Sequence, residues 1–277
     1  MSAAVSASGA GERTPAAARS MLRAVAIPTE HGGWGLTLEP GLLGLLVAPS
    51  LAGVCLAAAA LAAFVARAPL KIVLVDRHRG RSLPRTRLAR RVAAIELAVL
   101  AALVIGAVVL AEHPFWAPAI IAAPLILVES WFEVRSRGRR LVPELAGAAG
   151  VCSVASMIVL ADGGSGRFAA GVWAVLVARL VTSIPHVRAQ INRLHGRPSR
   201  ELGAVVADGL ALVAAGVAVG LDRELAAGAV AIVAVVAIQR VTARGPVPRP
   251  VVLGIRQVAM GVGVVLVTAL GVLVSSS

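Results

Sequence analysis

Long apolar stretches separated by short polar gaps run almost the whole length of this chain. A hydrocarbon core about 30 Å thick takes roughly 20 helical residues to cross. Laid along the sequence, that ruler marks about nine candidate spans, at residues 36–50, 51–70, 92–111, 115–133, 142–161, 168–186, 202–220, 225–243 and 251–273. The first two are closely set, because Pro40 and Pro49 shorten and bend the first and leave almost no room for a turn. A broken or re-entrant first segment is therefore one alternative, tolerated where protein covers its backbone or where it lines a cavity. The expected fold is all-α, a polytopic bundle of transmembrane helices.

The gaps carry the charge, and they carry it unevenly. Arg13, Arg19 and Arg23 precede the first span. Lys71, Arg77, Arg79, Arg81, Arg85, Arg87, Arg90 and Arg91 follow the second; Arg135, Arg137, Arg139 and Arg140 the fourth; Arg188, Arg193, Arg197 and Arg200 the sixth; Arg240, Arg244 and Arg249 the eighth. These are 22 of the 27 basic residues, whereas the alternate gaps hold only Arg167 and Arg223. Positive residues mark the cytoplasmic side, which puts the N-terminus inside and, with nine spans, the C-terminus outside. The expected location is the cell membrane.

Composition agrees. Hydrophobic residues make up 58% of the 277, with a mean hydropathy of +0.87, more than a soluble core of this size requires. A net charge of +13 would suggest nucleic acid in a soluble protein, but here positive-inside topology accounts for it, so no nucleic-acid partner is expected. Cys55 and Cys152 both lie within apolar segments and lack CxxC spacing, which indicates neither a disulfide framework nor zinc. No metal site and no cofactor is evident. Residues 1–26 read as a disordered or interfacial cytoplasmic arm, with a short interfacial helix over 20–27 that Pro28 ends, and residues 27–277 as one helical domain.

Ionisable groups at membrane depth are costly unless paired or facing water, so the few present, Glu39 and Arg256 among them, are candidates for function. Arg67, Glu133 and His186 lie near span ends, where long side chains reach the headgroups. Glu30-His31-Gly32-Gly33-Trp34 stands just before the first span. Its glycines permit positive φ or close backbone approach, Trp34 suits the interface, and Glu30 with His31 supplies an acceptor beside a group that titrates near neutrality. The alternative is an interfacial anchor. At the cytoplasmic end of the sixth span, a helix continuing past Pro185 would place His186, Gln190 and Arg193 on one face with Arg179, next to Arg188 and Asn192. With Arg77 and Arg79 of the first loop, this set is suited to an anionic head group. Anionic lipid headgroups would satisfy the same arginines. Glu129 and Glu133, a turn apart, form either a carboxylate pair or a helix end neutralised by the arginines that follow. Gly163, Gly164 and Gly166 read as a turn, and no convincing internal repeat stands out.

Two resemblances follow from these residues. Ile27-Pro28-Thr29-Glu30-His31-Gly32-Gly33-Trp34-Gly35 with Pro40-Gly41-Leu42-Leu43-Gly44-Leu45 resembles the N-terminal signature of the YwiC-like family of bacterial integral membrane proteins, a family that implies no settled activity. More distantly, nine spans with polar loops after the second and sixth are similar to the plan of UbiA-type intramembrane prenyltransferases. That resemblance implies acidic motifs in both loops holding magnesium and an isoprenyl diphosphate. This chain has only Asp76 in the first loop and no acid before Glu201 in the second, which leaves that magnesium site unsupported.

Three functions fit. The chain binds or transforms an isoprenoid or other lipid-like anion in a cytoplasmic cavity lined by both loops; it is a small-molecule transporter, with Glu96, Asp208 and Gln239 near mid-membrane and inverted repeats expected; or it is a non-catalytic accessory protein whose partners are membrane lipids. The orientation is testable directly. In a cysteine-free background, Arg79→Cys reacts with a membrane-impermeant maleimide only after cells are permeabilised, whereas Asp162→Cys reacts in intact cells. The reverse pattern inverts the topology.

Overall fold

The computed structural model describes residue 22 and residues 24–26, 31–135, 140–198 and 201–275. Most of the expected arm, and Glu30, lie outside the described residues; Leu22 and residues 24–26 are helical. The described chain forms nine α-helices: α1 (His31–Val47), α2 (Leu51–His78), α3 (Pro84–Leu110), α4 (Trp116–Val134), α5 (Leu141–Ala161), α6 (Gly166–Leu194), α7 (Glu201–Leu221), α8 (Ala226–Ala243) and α9 (Pro250–Ser275). A single 3-10 turn, Arg223–Leu225, leads into α8. Eight of these helices are long and apolar enough to cross a membrane. The chain is an integral, multi-pass membrane protein. The remaining helix, α1, has 17 residues and is therefore about 25 Å long, short of the hydrocarbon thickness.

Helix ends follow local chemistry. Ser50 and Ser165 cap α2 and α6 by accepting from the backbone N–H of Gly53 and Phe168, both at 3.1 Å. Pro84 and Pro250 open α3 and α9, where a missing N–H costs nothing. Gly163, at φ 86°, lets Gly164 N–H donate back to Val159 O at 2.9 Å and closes α5, as the turn reading expects.

Several helices outrun the ruler. α1 begins at His31 rather than 36, α2 runs to His78 rather than 70, α3 starts at Pro84 rather than 92, and α6 continues through Pro185 to Leu194. Hydropathy measures only the part of a helix that prefers lipid, whereas the helix itself propagates through polar residues until a cap ends it. The overruns of α2, α3 and α6 all lie at the arginine-rich end.

Helices α5 and α6 occupy the centre: 50% and 61% of their most apolar windows are buried, against 11% for α3 and α4. Helix α6 touches α1, α5, α7, α8 and α9, and α1 touches α2, α5, α6 and α9. By contrast α3 packs only on α2 and shows Ile95 (66% exposed) and Val109 (75% exposed) outward, the surface expected of a lipid-facing helix. Small buried residues, among them Ala155, Ala178, Ala211 and Ala218, allow close helix approach. Side-chain bonds then fix the register: Ser156 Oγ donates to Ala169 O at 2.7 Å and Trp173 Nε1 to Ala149 O at 2.9 Å, both tying α5 to α6.

A polar network ties α6, α7 and α8. The Thr182 hydroxyl donates to Asp208 Oδ1 at 2.5 Å and lies 2.9 Å from Gln239 Oε1, while Arg240 Nε donates to Asp208 Oδ2 at 2.5 Å. Removing the hydroxyl strips one donor from a nearly buried carboxylate. Thr182→Val is expected to cost about 1–2 kcal/mol of stability, whereas Ser275→Ala at an exposed helix end is expected to cost almost nothing. Thermal unfolding of the detergent-purified protein measures both; equal midpoints would count against the network.

Candidate functional site

The segment before the first expected span is itself helical. Gly32 and Gly33 lie within α1, so neither adopts the positive φ that the sequence left open; the positive-φ glycines among the described residues are Gly80, Gly163 and Gly196. Close approach is what Gly33 provides. A Cβ there would fall 2.6 Å from the Phe64 ring, and Trp34 meets the same ring edge-on at 5.1 Å between centroids. The cluster seats α1 against α2. The His31 side chain, like Glu30, lies outside what the structure describes.

The arginine-rich loop between α2 and α3 uses its acid structurally. Asp76 is buried at the end of α2, where Thr86 Oγ1 donates to Oδ2 at 2.5 Å and Arg85 Nη2 to Oδ1 at 3.3 Å, closing the α2–α3 hairpin. Arg77 and Arg79 are exposed. A short repeat that sequence reading missed appears here. Pro69 and Asp76-Arg77…Gly80-Arg81 on α2 recur as Pro185 and Asn192-Arg193…Gly196-Arg197 on α6. The two turns close alike: Arg81 N–H donates to Asp76 O at 2.8 Å and Arg197 N–H to Asn192 O at 2.9 Å, with Gly80 and Gly196 at φ 63° and 64°. The signal was the identical spacing of Pro, Arg, Gly and Arg, hidden because each turn was read as a charge cluster.

Both turns lie at the arginine-rich end, so this is a parallel repeat and differs from the inverted one expected of a transporter. Among the described residues α2 and α6 make no contact.

The expected face on α6 divides by role. His186 and Gln190 line a pocket of about 390 Å³ between α6, α8 and α9, together with Thr242, Arg256 and Gln257. Ile238, Leu253 and Met260 supply its apolar wall. Arg193 reaches to α8, where Nη1 donates to Ala243 O and Nη2 to Gly245 O at 3.2 Å, satisfying carbonyls at the helix end, while Nη1 also donates to Gln190 Oε1 at 3.4 Å. Arg188 pairs with Glu144 of α5 at 2.5 Å, and the Asn192 carbonyl accepts in the Gly196 turn.

Glu129 and Glu133 are paired with basic residues of α2. Arg67 Nη2 lies 2.7 Å from Glu129 Oε1, Arg67 Nε donates to Glu133 Oε2 at 2.9 Å, and Lys71 Nζ stands 3.0 Å from Glu133 Oε1. Arg67 and Glu133 thus join α2 to α4 rather than reaching separately for headgroups. Arg135 instead covers the Trp131 ring at 3.7 Å, and Arg137 lies outside the described residues. Among the described residues no three His, Cys, Asp or Glu side chains gather where they could hold a metal ion.

The deepest charges were singled out separately and never as a pair. Glu39 of α1 and Arg179, at the middle of α6, are 8% and 3% exposed, with Arg179 Nη2 3.7 Å from Glu39 Oε1. The same Nη2 donates to the backbone carbonyl of Gln257 at 2.5 Å. Glu39 fits because Gly261 of α9 has no side chain; a Cβ there would collide with the Glu39 carboxylate. No spacing rule joins residues so far apart in the chain.

Residues 27–159 match the family model described as YwiC-like protein. That match takes in just under half of the chain. The YwiC-like part takes in α1 to α4 and nearly all of α5, hence the Gly33–Trp34–Phe64 contact, Asp76, the Glu129–Glu133 cluster and Glu39. The pocket helices α6, α8 and α9 lie beyond it. No curated protein and no solved structure matches the chain. Likeness to the UbiA-type plan is carried by helix number and by the position of the two polar turns alone.

The YwiC-like glycine is open to a direct test. Gly33→Ala must displace Phe64 and is expected to lose about 1–3 kcal/mol. Gly254→Ala meets nothing within 4 Å and is expected to be neutral or slightly stabilising through better helix propensity. Unfolding midpoints of the two variants decide it, and equal midpoints would remove the close-approach role from Gly33.

Proposed function

We propose that the protein binds a lipid-like anion at its cytoplasmic side, in the pocket between α6, α8 and α9. The observation that carries this reading is the pocket's lining. His186 and Arg256, with Gln190, Thr242 and Gln257, face apolar walls from Ile238, Leu253 and Met260, and the described lining contains no carboxylate. A volume of about 390 Å³ is of ligand size. Basic and amide donors beside an apolar wall favour an amphiphile whose head carries oxygen acceptors. An isoprenoid phosphate is one such molecule and a fatty acid is another. Catalysis forms no part of this reading, because Asp76, the acid retained in the first loop, is held by Thr86 and Arg85.

Transport is a second reading, favoured by one observation: Glu39 and Arg179 put opposite charges deep among the helices, just behind a wall of that pocket. Loading of a ligand from the cytoplasmic side would be the shared first step.

Decyl phosphate, with decanol as the uncharged control, is a suitable probe in neutral detergent. At a hundredfold excess over Kd a ligand confined to the folded state stabilises it by about 2.7 kcal/mol, a rise of several degrees in the midpoint. His186→Ala/Arg256→Ala is expected to weaken decyl phosphate at least tenfold and to leave decanol unchanged. No shift of the parent protein by decyl phosphate, or an identical shift by decanol, would overturn the anion reading.

A further inference from the structure

We propose that Arg179 and Gln257 form a buried subsite that receives the oxygen-bearing end of an anionic ligand, a carboxylate or phosphate head group, and that Glu39 occupies the guanidinium when no ligand is bound. The inference rests on the pocket reading above and deepens it, moving the head group from the pocket's mouth to its inner wall.

The first argument is incomplete satisfaction. A guanidinium buried among helices needs acceptors for most of its five N–H donors, since each donor left without one forfeits a strong hydrogen bond. Arg179 is almost wholly buried, yet Nε and Nη1 have no acceptor among the described residues. Its one hydrogen-bonded nitrogen, Nη2, gives its bond to the Gln257 carbonyl. Glu39, at 3.7 Å, neutralises the charge but stands beyond hydrogen-bonding distance. Arg240 and Asp208, by contrast, meet directly at 2.5 Å.

The second argument is position. Gln257 belongs to both places: its backbone carbonyl holds Arg179, and its side chain lines the pocket with Nε2 and Oε1 buried and unpartnered. Three nitrogens without acceptors among the described residues, Arg179 Nε and Nη1 and Gln257 Nε2, therefore belong to two residues hydrogen-bonded to each other at the pocket wall. Those three donors call for oxygen, which favours carboxylate and phosphate over ammonium or an apolar end, while Gln257 Oε1 is left to accept from a hydroxyl on the same head group. Gly261 completes the arrangement by leaving a slot in α9 in which Glu39 rests. Because Glu39 already balances Arg179, an arriving anion competes with it, and ligand affinity reports the strength of that internal pair.

Binding of decanoate and decyl phosphate, each against decanol, to the full-length purified protein and its variants tests the subsite by isothermal titration. Arg179→Gln is expected to weaken both anions at least tenfold without affecting decanol, and Arg179→Lys, which keeps the charge with fewer donors, to fall between. Glu39→Gln removes the competitor and is expected to tighten both anions at least threefold. Should Arg179→Gln fail to fold, the neutral Glu39→Gln/Arg179→Gln pair replaces it, with the same loss expected. Parent-like anion affinity in the Arg179 and Glu39 variants, with the loss confined to His186→Ala/Arg256→Ala, would overturn the subsite and leave the pocket reading standing. Absence of anion binding by the parent protein would overturn both.

Discussion

Most charges carried into the bundle meet an opposite charge or an oxygen on another helix, and that pairing orders the structure; Glu96, whose Oε2 is buried without a partner among the described residues, is an exception. Lipid solvates neither charges nor open backbone groups, so satisfaction has to come from within. Arg67 and Lys71 bring α2 to α4 through Glu129 and Glu133. Asp208 gathers α6, α7 and α8 through Thr182 and Arg240. Glu39 and Arg179 link α1 to α6, with α9 held through Gln257. Apolar packing is not selective enough to impose this order, since lipid tails are as apolar as leucine. Glycine and alanine let the helices approach; the polar ties decide which helices they approach.

The same ties separate structural from available polarity. Arg188 and Arg193 are of the residue type expected of an anion site, yet each is engaged with a neighbouring helix or turn, as Asp76 is. What stays open to a ligand is a smaller group on α6 and α9: His186, Arg256 and Gln257 around the pocket, with Arg179 behind it. The YwiC-like half supplies Glu39 and the α1–α2 contact, while the pocket belongs to helices beyond that match. The site we infer thus joins the two halves of the chain.

The helical class and eight of the nine expected spans were legible in the sequence because both follow from hydropathy and length alone, whereas the first expected span, α1, is too short to cross. Helix ends were less so, since α2 and α6 extend through charged residues until Gly80 and Gly196 close them. Of the candidate site, the His186–Gln190 face was legible from helical spacing once α6 was taken through Pro185. The partners of Glu129 and Glu133 were not, because Arg67 and Lys71 lie on a different helix and no local pattern announces a tertiary ion pair. For the same reason Glu39 and Arg179 stood out singly and never together. The repeated turn at Asp76–Arg81 and Asn192–Arg197 was visible in principle, and its matching hydrogen bonds show why Pro, Arg and Gly recur there.

The central claim is that Glu39 and Arg179 face each other as opposite charges deep among the helices, and a double-mutant cycle on stability tests it most directly. Glu39→Gln, Arg179→Gln and the double variant would be compared by unfolding in detergent. A coupling energy of about 1 kcal/mol or more, with the neutral double variant more stable than the two single losses sum to, is the predicted result. Additive losses would show that the two charges do not sense one another and would contradict the account.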